Sequence, residues 1–126
     1  MQKRLFLICV FLALLLAGCG AGNGGPVGAV NTYYHAILNQ DADQLKSVTC
    51  ASFQDTALTE LDSFQGVKME LQAFSCQETG REGNATLVRC DGKIVATYGS
   101  DKMDFPLGDR VHRVENQGGA WKVCGY

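Results

Sequence analysis

The chain is 126 residues long, 46% of them hydrophobic and 19% charged, with a formal net charge of −2. This length accommodates one small domain that buries a core with little to spare. Lysines and arginines are scattered and form no basic cluster, which excludes nucleic acid as a main partner.

The first element is read apart from the domain. Lys3 and Arg4 precede an unbroken apolar run over residues 5–17, the charged and apolar regions of a secretory signal. The run is shorter than the ~20 residues that span a bilayer. Leu16-Ala17-Gly18-Cys19 follows. Its small residues suit a peptidase groove, and the cysteine after the cut offers a thiol for a thioether-linked lipid. This tetrapeptide resembles the lipobox of bacterial lipoproteins. The resemblance implies that residues 1–18 are removed and that Cys19 carries a diacylglyceryl group, often with a third acyl chain, enough for stable anchoring. The protein would then sit on the extracytoplasmic side of the cell membrane. Gly20 occupies the place where an aspartate would resemble an inner-membrane retention signal, so the choice of inner or outer membrane stays open. Without its leader the chain keeps nine basic and thirteen acidic residues, a net charge of −4.

Residues 19–25 read as the lipidated cysteine and a Gly-rich tether, and residues 26–126 as the domain. Pro26 suits a first helical turn. Val27, Val30, Tyr34, Ile37 and Leu38 then recur at helical spacing as far as Asn39. Asp41, with Gln44 three residues on, predicts a capped second helix carrying Leu45 and Val48. Ser52 and Asp55 predict a third start, with Phe53, Ala57, Leu61 and Phe64 on one face and Gly66 at its end.

From Val67 the period becomes two. Val67, Met69, Leu71 and Ala73 alternate with polar residues, and Phe74 and Cys76 continue the apolar set one position out of phase. Such a slip is the mark of a β-bulge. Residues 78–84 read as a turn, 85–98 as strand two, 103–115 as strand three and 120–124 as strand four. Pro106 and Gly108 imply an edge or a bulge in strand three, and Asn116-Gln117-Gly118-Gly119 a hairpin turn. The expected architecture is therefore α+β, with three N-terminal helices packed on a four-stranded antiparallel sheet.

Cys9 leaves with the leader and Cys19 takes the lipid. Cys50, Cys76, Cys90 and Cys124 remain, and an even number in an exported domain points to disulfides. Placing Cys76 opposite Cys90, with one extra residue at the bulge, sets Phe74 against Gly92, Leu71 against Ile94, Met69 against Ala96 and Val67 against Tyr98. Every pair is then apolar. This supports a Cys76–Cys90 bridge and, by elimination, Cys50–Cys124. No Cys-x-x-Cys and no histidine at ligand spacing is present, so no metal or other cofactor is expected.

Two stretches carry a wider resemblance. Residues 30–45, with Tyr33-Tyr34-His35-Ala36-Ile37-Leu38 followed by Asp41 and Leu45, resemble the first helices of nuclear transport factor 2-like domains. Gly119-Ala120-Trp121-Lys122-Val123 resembles their last strand. Small bacterial lipoproteins are built on that domain. The resemblance implies a curved sheet wrapping helix one around a conical pocket. The superfamily includes binding and scaffold proteins beside isomerases, dehydratases and polyketide cyclases of the SnoaL type, so fold does not decide function.

Among candidate site residues, Asp41 and Asp43 sit where caps belong, and His35 follows the double tyrosine with no partner in view. His112 is the best acid or base: if Val114 pairs with Trp121, the histidine shares their face and points inward. No carboxylate stands at a motif distance to orient it. Tyr34, Tyr98, Phe105 and Trp121 are candidates to line a pocket. The favoured expectation is a membrane-tethered, non-enzymatic domain that binds a small apolar ligand or an envelope protein. The alternative is a SnoaL-type pocket enzyme acting through His112. A filled interior opposes the enzyme, and an open pocket with His112 and an acid at its floor favours it.

Overall fold

The structure, a computed structural model, describes residues 24–126. The expected leader over residues 1–18 and the expected lipidation at Cys19 fall outside the described residues. Helix α1 (Gly25–Leu38) is followed by α2 (Ala42–Ser47), a 3-10 turn (Ala51–Phe53) and α3 (Gln54–Ser63). Strands β1 (Lys68–Glu82), β2 (Ala85–Tyr98), β3 (Asp101–Pro106), β4 (Val111–Gln117) and β5 (Ala120–Gly125) complete the chain.

Pro26 lies in the first turn of α1, where its missing N–H removes no helical bond. The buried stripe of α1 includes Val30, Tyr33, Tyr34 and Ile37. Asp41 caps α2 by accepting from the Gln44 N–H at 2.9 Å. The expected start at Ser52 is not used. The Cys50 N–H bonds the Val123 carbonyl at 2.9 Å, and the Phe53 N–H bonds back to the Cys50 carbonyl at 2.9 Å. Residues 51–53 are thereby drawn into a 3-10 turn, and α3 begins without a side-chain cap.

The sheet corrects the expected architecture. It has five antiparallel strands in the order β1-β2-β4-β5, with β3 also paired to β2. The stretch 103–115 is not one strand. β3 lies beside the second half of β2, with Ile94 opposite Phe105, and β4 beside the first half, with Val88 opposite His112. Pro106 has no N–H to extend the ladder. The chain turns inward there, Leu107 is buried, and its N–H bonds the Gly92 carbonyl at 3.0 Å. Nor do three helices pack on the sheet. Helix α1 lies across β1, β2, β4 and β5, while α2 packs on α1 and α3 on α2.

The β1–β2 register follows the apolar pairing: Met69 faces Ala96, Leu71 faces Ile94 and Cys76 faces Cys90, with a shift between Gln72 and Ser75. Ala73 in the bulge takes φ +50° and Gly92 opposite takes φ +94°. A side chain at position 92 would run into the Gln72 and Ala73 carbonyl oxygens, so the close approach requires glycine. The expected turn over residues 78–84 is largely strand. β1 continues to Glu82, and only Gly83 and Asn84 turn. Both faces are wet there, which erases the alternation, while Glu82 pairs with Arg113 from β4.

Two disulfides staple the domain. Cys76–Cys90 joins β1 to β2 with Cα atoms 4.0 Å apart, and Cys50–Cys124 joins the segment before the 3-10 turn to β5 with Cα atoms 4.8 Å apart. In the chain-entropy account the shorter loop contributes about 3 kcal/mol and the longer about 4–5 kcal/mol. The Thr49–Val123 bridge beside the second disulfide lays residues 48–50 along the outer edge of β5, which leaves that edge less open to stray pairing.

Candidate functional site

Two polar clusters meet at the inner face of the sheet. The first is sealed. His112 and Tyr34 are both 0% exposed. His112 lies on β4 opposite Val88, and its Nδ1 is 3.2 Å from the Val88 carbonyl oxygen. A carbonyl only accepts, so Nδ1 carries the proton, and Nε2 accepts from the Tyr34 hydroxyl at 2.9 Å. Burial pushes the ring's pKa down to about 4; the Arg110 charge lowers it further, while the Val88 carbonyl and Glu60 oppose the shift. The imidazole is neutral at ordinary pH. Burial likewise raises the Tyr34 phenol above its usual range.

The second cluster reaches solvent and is centred on Glu60 of α3. Its carboxylate accepts from the Tyr33 hydroxyl at 2.5 Å, from Arg110 Nη1 at 2.5 Å and from the Tyr126 hydroxyl at 3.2 Å. The Arg110 guanidinium lies 4.3 Å from the centre of the Tyr126 ring, a cation–π arrangement. Burial works against the Arg110 charge, but the hydrogen bond and charge of Glu60 outweigh it. Burial first, and then the Glu60 charge, hold the Tyr33 and Tyr126 phenols above their usual values. The Phe53 ring stacks on Tyr33 and meets Tyr126 edge-on. Beside this cluster opens a cleft of about 470 Å³ lined by Asp55, Thr56, Thr59, Glu60, Ser63 and Tyr126.

The residues expected to share a pocket are dispersed. Tyr34 is in the core, and Tyr98 is 38% exposed at the end of β2. Phe105 packs edge-on against Phe64. Trp121 lines a separate cleft where α1 begins. Val114 pairs with Val123 and not with Trp121, which lies opposite Asn116. The shift is of even parity, so His112 still points inward, but onto Tyr34 and not into a cavity. His35 is exposed in a groove between α1 and the β1 bulge, with its ring edge-on to Phe74. Asp43 is exposed in the first turn of α2. Cys50, Cys124 and Glu115 converge within 4.8 Å, yet the disulfide consumes both thiols that a metal would need.

Sequence reasoning passed over Glu60, Arg110 and Tyr126. One signal was present: Glu60 lies three residues after Ala57 and immediately before Leu61, on the flank of the apolar face of α3. A carboxylate there needs a partner. Nothing local announces that Arg110 and Tyr126 supply it.

No family model matches the chain, and no curated protein matches it. Among solved structures it is similar to the helical cell shape determining protein Pgp2 from Campylobacter jejuni, with a TM-score of 0.51 and 14% identity over 78% of this chain. The similarity spans 38% of that protein's chain, and at this identity it concerns the fold alone. No helix among the described residues is long and apolar enough to cross a membrane.

Proposed function

We propose that this protein is an extracytoplasmic lipoprotein, held to the membrane through acylated Cys19, whose domain works by binding and not by catalysis. The order of charge, apolar run and small residues before Cys19 supports the anchor. The two disulfides support an oxidising compartment. The observation that carries the binding reading is the state of His112. The best acid–base candidate is fully buried with both ring nitrogens engaged, and a general base must reach the proton it moves.

The cleft beside Glu60 is the better contact point. Its lining offers the Asp55 carboxylate, three aliphatic hydroxyls and one phenol, while the Glu60 carboxylate is already held by Arg110. Such a lining fits a cationic or polyhydroxylated group better than an anion or a purely apolar ligand. Growth with an alkyne-tagged palmitate should label the wild-type chain and leave Cys19→Ala unlabelled; a labelled C19A chain would overturn the anchor. Amide NMR titrations with a polyamine, a neutral oligosaccharide and a dicarboxylate should shift residues 55–63 and Tyr126 with the first or second alone. A response confined to the dicarboxylate, or to residues elsewhere, counts against the cleft.

A further inference from the structure

Gly24, the first described residue, leads directly into α1. Only Gly20, Ala21, Gly22 and Asn23 separate it from Cys19. Five extended links reach at most ~18 Å. If Cys19 is held in the membrane, the start of α1 stands no further than that from the lipid. The inference that follows rests on this anchoring reading.

The surface at that place has a definite character. A cleft of about 270 Å³ opens there, lined by Gly24, Gly28, Val48, Gly119 and Trp121 among others. Trp121 is half-buried on β5, on the same side as the buried Val123. It is the single tryptophan of the chain. The β1–β2 and β4–β5 turns project from this end of the sheet, because Ala85 faces Glu115 and Gln117 faces Ala120. The Glu60–Arg110–Tyr126 cluster lies at the other end of the β4–β5 hairpin, where Arg110 enters β4 and Tyr126 leaves β5.

We infer that the Trp121 end of the domain rests on the headgroup layer of the membrane that holds Cys19. An indole has an apolar body and one N–H, and it favours the boundary between water and hydrocarbon. A short covalent link supplies the surface at high effective concentration, so a weak intrinsic affinity suffices for contact. In this orientation the Glu60 cleft faces away from the bilayer, open to the cell envelope.

The single tryptophan makes the test direct. The lipidated protein, purified from membranes, is reconstituted into phosphatidylcholine–phosphatidylglycerol vesicles with ordinary or brominated acyl chains, and floated to establish anchoring. Trp121 emission in the floated protein should be lower with the brominated lipid than with the ordinary one, as for an interfacial indole. Emission that is equal in the two lipids, from protein that floats, overturns the orientation and leaves the anchor standing. Protein that does not float overturns both.

Discussion

The two polar clusters differ in how they satisfy the same requirement. His112 and Tyr34 are sealed, and each polar atom has a neutral partner. Glu60 and Arg110 are charged and sit at a rim, with side chains 10% and 33% exposed. A buried neutral pair is tolerable when fully hydrogen-bonded, whereas a charge near the interior needs both a countercharge and access to water. The sealed cluster therefore acts as core, and the open one keeps its charges in reach of water.

That contrast is most exposed to acid. Unfolding returns His112 to its ordinary value near 6.5, whereas the folded ring protonates only near 4. Below pH 6.5 the unfolded chain binds a proton that the native state does not. Stability should thus fall as pH drops from about 6.5 to 4, by about 3 kcal/mol from this residue, and this residue should add no slope above that window. Urea titrations across the range check it; a flat profile would mean that the sealed cluster is open.

Breaking the rim cluster comes next. Glu60→Ala leaves Arg110 without its countercharge and Tyr33 without its acceptor. Loss of a fully buried pair costs about 3–5 kcal/mol, and the partial exposure of Arg110 lowers the expectation to about 2–3 kcal/mol. Calorimetry should show it, together with a lowered phenol pKa at Tyr33 in ultraviolet titration. Tyr34→Phe removes one hydroxyl and orphans His112 Nε2, for about 1–2 kcal/mol. The smallest effect belongs to Tyr126→Phe, about 0.5 kcal/mol, because the ring and its contact with Arg110 remain and water replaces the lost bond. Should Tyr126→Phe cost more than Tyr34→Phe, the assignment of sealed and open clusters is reversed.

Much of the strand pairing was legible because it obeys a local rule. Apolar residues at Met69, Leu71, Phe74 and Cys76 change phase once, and only a bulge reconciles them with Ala96, Ile94 and Cys90. The Cys76–Cys90 contact follows from that phase. The break between β3 and β4 was marked by Pro106 and Gly108, but that it makes two strands depends on Leu107 finding a buried place and the Gly92 carbonyl finding a donor. The wet half of β1 carries no alternation at all, so it reads as a turn.

By itself the sequence determined the helix stripes, the bulge and the pairing of its cysteines, because each is written in neighbouring residues or in a period along the chain. Tertiary structure alone decided that His112 is sealed and that Glu60 is the centre of the rim. Glu60 meets Arg110 across 50 residues and Tyr126 across 66. Their meeting depends on how α3 settles against the ends of β4 and β5, a question of packed volume and desolvated charge that no local pattern encodes.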